Sequence, residues 1–254
     1  MAPARYGRDP MDGPEAVEPT GQTGQTGQTG QTAETGQTGG RVGAIVLAAG
    51  SGARFGGAKQ FQELRPGRRL VDAAVDLVAP VARVVVVVLP GGAAWDRLPA
   101  VRVATGGSDR TASVVAGLAA LGSDADIVLV HDAAHPLAPP EIVHQLLAAM
   151  SAGADAAVPF LPAAEVIKHR GDDGRLHTVG RDGLGLAQMP MAFTRTALAD
   201  SLTRSSAGYE DSARVEAAGG VVVAVPGSSR NLHVVQPDDL ELVRLLAAGL
   251  DGSG

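Results

Sequence analysis

Residues 44–61 read Ala44-Ile45-Val46-Leu47-Ala48-Ala49-Gly50-Ser51-Gly52-Ala53-Arg54-Phe55-Gly56-Gly57-Ala58-Lys59-Gln60-Phe61. An apolar run of strand length breaks into small residues and ends on two cations. A buried parallel strand that feeds a Gly-rich loop sets backbone N–H groups at its carboxyl end. Small side chains let a phosphate chain lie against that backbone, and Arg54 and Lys59 can offset its charge. The same spacing also describes an ordinary Gly-rich turn with two solvated cations. It is not a Walker loop, because no Gly-Lys-Ser/Thr follows. It is not the dinucleotide fingerprint either, because Gly50 and Gly52 lack a third Gly at the required offset.

Outward from this stretch, apolar strands alternate with helical spacing. Strands are expected at 43–48, 81–89, 101–104, 127–130 and 155–159. Helices are expected at 70–77, 113–121 and from Pro139-Pro140 to Met150, with Ser108 or Asp109 capping the second. That order predicts an α/β fold with a doubly wound, mostly parallel sheet. The second half is less regular. Glu165–Arg170 and Leu176–Val179 flank Gly171-Asp172-Asp173-Gly174 as a hairpin, a candidate protruding β-arm spanning about 163–187. Helices are expected at 191–202 and 211–218, strands at 221–225 and 232–235, and a last helix from Pro237 to about Ala248. Residues 1–41 carry Gly-Gln-Thr repeats and read as a disordered low-complexity tail ahead of one folded domain at 42–250.

Composition narrows the function. The 254-residue chain carries a formal charge of −6, which disfavours a nucleic-acid partner. It has no cysteine, which excludes thiolate catalysis and Cys-ligated metals. No apolar run suggests a membrane span or a secretory signal, so a cytoplasmic protein is expected.

Two further stretches can carry chemistry. Thr105-Gly106-Gly107-Ser108-Asp109-Arg110-Thr111-Ala112-Ser113 opens a helix after the third strand, and suits a base or ribose contact or simply a capped helix start. Val130-His131-Asp132-Ala133-Ala134-His135-Pro136 follows another strand. Asp132 there can orient a ribose, a substrate hydroxyl or Mg²⁺, or cap the next turn.

These motifs together resemble the 2-C-methyl-D-erythritol 4-phosphate cytidylyltransferase family of the non-mevalonate isoprenoid pathway, over about Val42 to Leu246. The family reads Ala-Ala-Gly-x-Gly-x-Arg with Pro-Lys-Gln-Tyr/Phe, Gly-Gly-x-x-Arg-x-x-Ser, and Val-His-Asp-Ala-Ala-Arg. The resemblance implies a Rossmann-like nucleotidyltransferase fold and an enzyme that couples CTP to a polyol phosphate with release of pyrophosphate. It implies Mg²⁺ as cofactor and a homodimer joined through the arm. Arg54, Lys59 and Asp132 are then the catalytic candidates. Ala48, Ala49, Gly50, Ser51, Gly52, Gly106, Gly107, Arg110, Ser113 and Ala133 would bind nucleotide. His135, Lys168, Arg181 and His233 would bind the acceptor.

The sequence departs from the family on the acceptor side. His135 stands for an Arg, His233 for a Lys, Glu165-Val166 for Asp-Thr, and Met189 and Met191 flank Pro190 where Thr and Gln are usual. Ala58 replaces the Pro before Lys59, and Ser108 replaces an acidic residue. Such changes leave open transfer to another pentitol or glycerol-type phosphate, or a non-catalytic nucleotide-binding paralogue.

Overall fold

The computed structural model describes residues 40–97, 101–204 and 210–251. The repeat tail lies outside them, apart from Gly40 and Arg41.

The first strand, β1 (Val42–Leu47), leads through the Gly-rich loop and a 3-10 turn at Lys59–Phe61 to a small hairpin, β2 (Glu63–Arg65) and β3 (Arg68–Arg69). Then follow α1 (Leu70–Val78), β4 (Val84–Leu89), β5 (Val101–Thr105), α2 (Arg110–Leu121), β6 (Ile127–Asp132) and α3 (Pro140–Ser151). The second half contains β7 (Ala156–Pro162), β8 (Ile167–Arg170), β9 (Leu176–Val179), β10 (Gly185–Ala187) and β11 (Met191–Thr194). It closes with α4 (Arg195–Arg204), α5 (Asp211–Ala217), β12 (Val222–Pro226) and α6 (Pro237–Asp251).

Among the described residues the central sheet has eight strands in the order β10-β7-β11-β6-β1-β4-β5, with β12 also paired to β7. β1 pairs in parallel with β4 and β6, Ile45 lying opposite Val86 and Val130. β11 and β10 run antiparallel to their neighbours. The central strands are buried on both faces, which is why they are nearly all Val, Ile, Leu and Ala. Alternate residues feed opposite cores. Ala44, Val46 and Val87 pack with Val71 and Val75 of α1 and Ile142 and Leu146 of α3, while Ile45, Val86 and Val88 meet Val114, Leu118 and Leu121 of α2.

Three departures from the sequence reading have local causes. Residues 191–194 are a strand, not the start of a helix, because they fill the slot between β6 and β7 and leave only 195–204 helical. Residues 232–235 form no strand. Val234 donates to Ala134 O at 2.8 Å, and its carbonyl accepts from a lysine side chain instead of a neighbouring strand. β4 begins at Val84 because the amides of Val81 and Ala82 are used in the turn that ends α1.

β8 and β9 form a two-stranded sheet of their own, separate from the central one. β10 then returns to pair with β7.

Candidate active site

Short main-chain bonds zip together the loops at the carboxyl ends of the parallel strands. Ala48 N donates to Val88 O at 2.9 Å, Ala133 N to Leu47 O at 3.0 Å, and Gly106 N to Leu89 O at 2.8 Å. The cleft they frame has a volume of about 640 Å³. Its floor and walls are made by Ala48–Arg54, Lys59, Gly107–Arg110, Ser113, Asp132–Ala134 and His233. Three sequence stretches far apart in the chain therefore meet where an α/β sheet collects its ligands.

Two glycines show how closely this frame is packed. Gly52 has φ +66°, and a Cβ there would sit 1.7 Å from Gly57 O. The carbonyl of Gly52 itself accepts from the amides of Phe55, Gly56 and Gly57, curling the loop. A Cβ on Gly106 would lie 2.2 Å from the Ala49 Cβ, so the two loops approach too closely for a side chain at this point. Gly106 thus shapes the cleft from behind and does not line it.

The cations differ in their ties. Arg54 lines the cleft. Lys59 is half-buried, and its Nζ donates to Val234 O at 2.6 Å. Burial lowers its pKa and neighbouring Arg54 lowers it further, while Asp132 opposes both. The adjacent Gln60 is buried and donates to Gly50 O at 3.2 Å, bracing the loop.

Asp132 ends β6 with its side chain 30 % exposed. Oδ1 accepts from Ala134 N at 2.9 Å, and Oδ2 stands 3.9 Å from an Arg110 Nη. Burial disfavours its charge, but the neighbouring His135, the Ala134 amide and the cations Arg110 and Lys59 together outweigh this and hold its pKa below the ordinary carboxylate value. It is a carboxylate on the cleft wall with one oxygen fixed by a backbone amide. Asp109 caps α2 by accepting from Ala112 N at 2.8 Å, and Ser113 Oγ accepts from Gly107 N at 3.2 Å.

The four acceptor candidates are divided by the structure. His233 lines the cleft. His135 does not: it is buried against His233, their rings stacked with centroids 4.5 Å apart. Burial lowers both pKa values, that of His135 to about 3, so the His135 ring is neutral at pH 7. Lys168 and Arg181 lie on or beside the arm. Lys168 donates to Thr178 Oγ1 at 2.6 Å, and Arg181 to the Ala164 carbonyl. Neither lines the cleft of its own chain.

Two residues escape a reading of the sequence. Asp211 is 1 % exposed and pairs with Arg110, Oδ2 to Nη2, at 2.7 Å. Burial raises its pKa, and Arg110 opposes the rise. The Glu210-Asp211-Ser212 stretch is visible as a helix start, but nothing local points it at residue 110. His131 is fully buried beside the site, and neither ring nitrogen finds a hydrogen-bond partner among the described residues.

The profile of the 2-C-methyl-D-erythritol 4-phosphate cytidylyltransferase family matches residues 42–247. A protein of that name from Bordetella petrii is 40 % identical over 215 residues, covering 79 % of this chain and 96 % of its own. One from Frankia casuarinae is 36 % identical over 228 residues, covering 83 % of each chain. The crystal structure of the Thermus thermophilus protein of that name superposes with a TM-score of 0.72 at 29 % identity, covering 82 % of this chain and 99 % of that one.

Proposed function

This chain belongs to the 2-C-methyl-D-erythritol 4-phosphate cytidylyltransferase family, and we infer that it transfers the cytidylyl group of CTP to 2-C-methyl-D-erythritol 4-phosphate in isoprenoid biosynthesis. The products are the CDP-polyol and pyrophosphate. The single observation that carries the site assignment is the convergence of the Gly-rich loop, the Gly107–Arg110 turn and Asp132 on one cleft.

In this reading the triphosphate lies on the backbone of Ala48, Ala49, Gly50, Ser51 and Gly52. Gly107, Arg110, Ser113 and Ala133 hold the base and ribose side, and Gly106 acts only by letting its loop pack against Ala49. An acceptor phosphate oxygen attacks the α-phosphorus, a P–O bond forms there, and the bond to pyrophosphate breaks in line. The acceptor phosphate is already ionised, so no covalent enzyme intermediate is needed. Catalysis then consists of positioning and charge stabilisation. Arg54 and Lys59 stabilise charge growing on the α-phosphate and on the leaving pyrophosphate, and Asp132 orients the reacting groups.

Mg²⁺ fits the donor set. No group of three or more acidic or histidine side chains among the described residues makes a ready metal cage. One carboxylate plus substrate phosphates is an ordinary Mg²⁺ arrangement, however, and Asp132 lines the cleft. The ion would neutralise triphosphate charge.

A homodimer through the arm completes the reading. The arm region exposes Val166, Leu176, Leu184 and Leu186, and an arm reaching a second copy would cover such residues. It would also carry Lys168 and Arg181 toward the partner's acceptor side. The His233 and His135 rings occupy that side within each chain. No described helix is long and apolar enough to cross a membrane. The reading places the enzyme in the cytoplasm, with its nucleotide substrate.

The test is pyrophosphate release from CTP, 2-C-methyl-D-erythritol 4-phosphate and Mg²⁺, with the CDP-polyol identified by mass. Turnover that stops on adding a chelator is expected. Tight CTP binding with no transfer to this acceptor would overturn the assignment.

A further inference from the structure

Arg110 and Asp211 open two helices from opposite halves of the chain, α2 and α5. Asp211 is not the cap of its own helix. Glu210 does that work, its carboxylate accepting from Ser212 N and Ala213 N at 2.9 and 2.8 Å. Asp211 is instead buried against the Arg110 guanidinium at 2.7 Å. A buried carboxylate needs a partner, yet a buried ion pair is weak evidence of a stabilising role. What such a pair does supply is direction, since a guanidinium is a rigid planar fork.

The geometry around Arg110 makes direction matter. Its other terminal nitrogen stands 3.9 Å from Asp132. Without Asp211, Asp132 is the acid toward which Arg110 would turn, drawing the guanidinium off its place in the cleft wall. Both Arg110 and Asp132 line the cleft; Asp211 does not.

We propose that Asp211 is a positioning residue for nucleotide recognition: its sealed carboxylate anchors Arg110 in the cleft wall and so sets the affinity for CTP. This rests on the reading of Arg110 as a nucleotide contact.

The experiment is calorimetric binding of CTP to four proteins: the parent, Asp211→Asn, Arg110→Ala and the double variant. Thermal melts are run on each. Losing one charge-assisted positioning contact is expected to weaken CTP binding about tenfold in Asp211→Asn. In the Arg110→Ala background, Asp211→Asn should add less than about twofold, since the group it positions is gone. The acceptor KM at saturating CTP should stay within about twofold of the parent. Should Asp211→Asn fail to fold, Asp211→Ser is measured in the same way. Parental CTP affinity in Asp211→Asn alongside weakened binding in Arg110→Ala would overturn the positioning role alone. So would fully additive effects of the two changes. Parental affinity in Arg110→Ala would remove the nucleotide reading of Arg110 and the proposal with it.

Discussion

The Lys59 ammonium donates to the Val234 carbonyl at 2.6 Å, tying the turn after the Gly-rich loop to the segment that carries His233. Val234 N in turn donates to Ala134 O, so the same segment is fastened to the loop after β6. The cation read as acting on the phosphates is thus hydrogen-bonded to the residue next to the ring read as facing the acceptor. Nucleotide-side and acceptor-side changes should therefore be separable by kinetics but close in space.

The His233 ring gives the first prediction. Burial keeps its pKa below the ordinary 6.5, so at pH 8 it brings almost no positive charge to an anionic acceptor. His233→Lys should lower the acceptor KM at pH 8 by about tenfold, the worth of one charge-assisted phosphate contact, with kcat little changed. The gap between the two enzymes should be no wider at pH 6 than at pH 8, since acidification only adds charge to the imidazole. Steady-state kinetics at both pH values check this, and an unchanged or raised acceptor KM at pH 8 would remove His233 from the acceptor side.

His131 gives a stability prediction. Complete burial pushes its pKa down to about 4, against 6.5 in the unfolded chain. Between those values the unfolded state binds a proton that the folded state refuses. Stability therefore rises with pH there, is unaffected by this group above about pH 7, and falls on acidification by up to about 3 kcal/mol by pH 4. His131→Leu should flatten that part of the curve. Denaturant melts from pH 4 to 8 measure it, and a variant curve parallel to the parent's would refute the assignment.

The arm gives the third. Leu176 is 63 % exposed and Val179 lies on the same two-stranded sheet. Leu176→Glu with Val179→Glu would place unpaired charges in the dimer contact proposed for the arm, which is costly when desolvated. Light scattering should show a monomer, with CTP affinity retained and the acceptor KM raised because Lys168 and Arg181 no longer reach a second copy. A monomeric parent would refute the dimer, and a variant as dimeric as its parent would refute a contact through the arm.

Much of this is legible in the chain. Val84–Leu89 and Ile127–Val130 declare buried parallel strands because both of their faces must be apolar. Gly52 and Gly106 mark the cleft because close backbone approach leaves no room for a Cβ. Residues 191–194 read as helix because Met-Ala-Phe-Thr suits a helix as well as a strand, and only the slot between β6 and β7 decides. The stacking of His135 on His233 is hidden for a similar reason: a ring pair between residues 98 apart leaves no local trace. The Asp211–Arg110 pair, 101 residues apart, is equally invisible.

The polyphosphate cradle is tested most directly by single-turnover transfer from CTP to 2-C-methyl-D-erythritol 4-phosphate in Lys59→Ala, with folding followed by melting temperature. Removing a cation aimed at developing phosphate charge should slow transfer by about a hundredfold or more while the melting temperature shifts little. A folded Lys59→Ala protein that transfers at the parental rate would contradict the cradle.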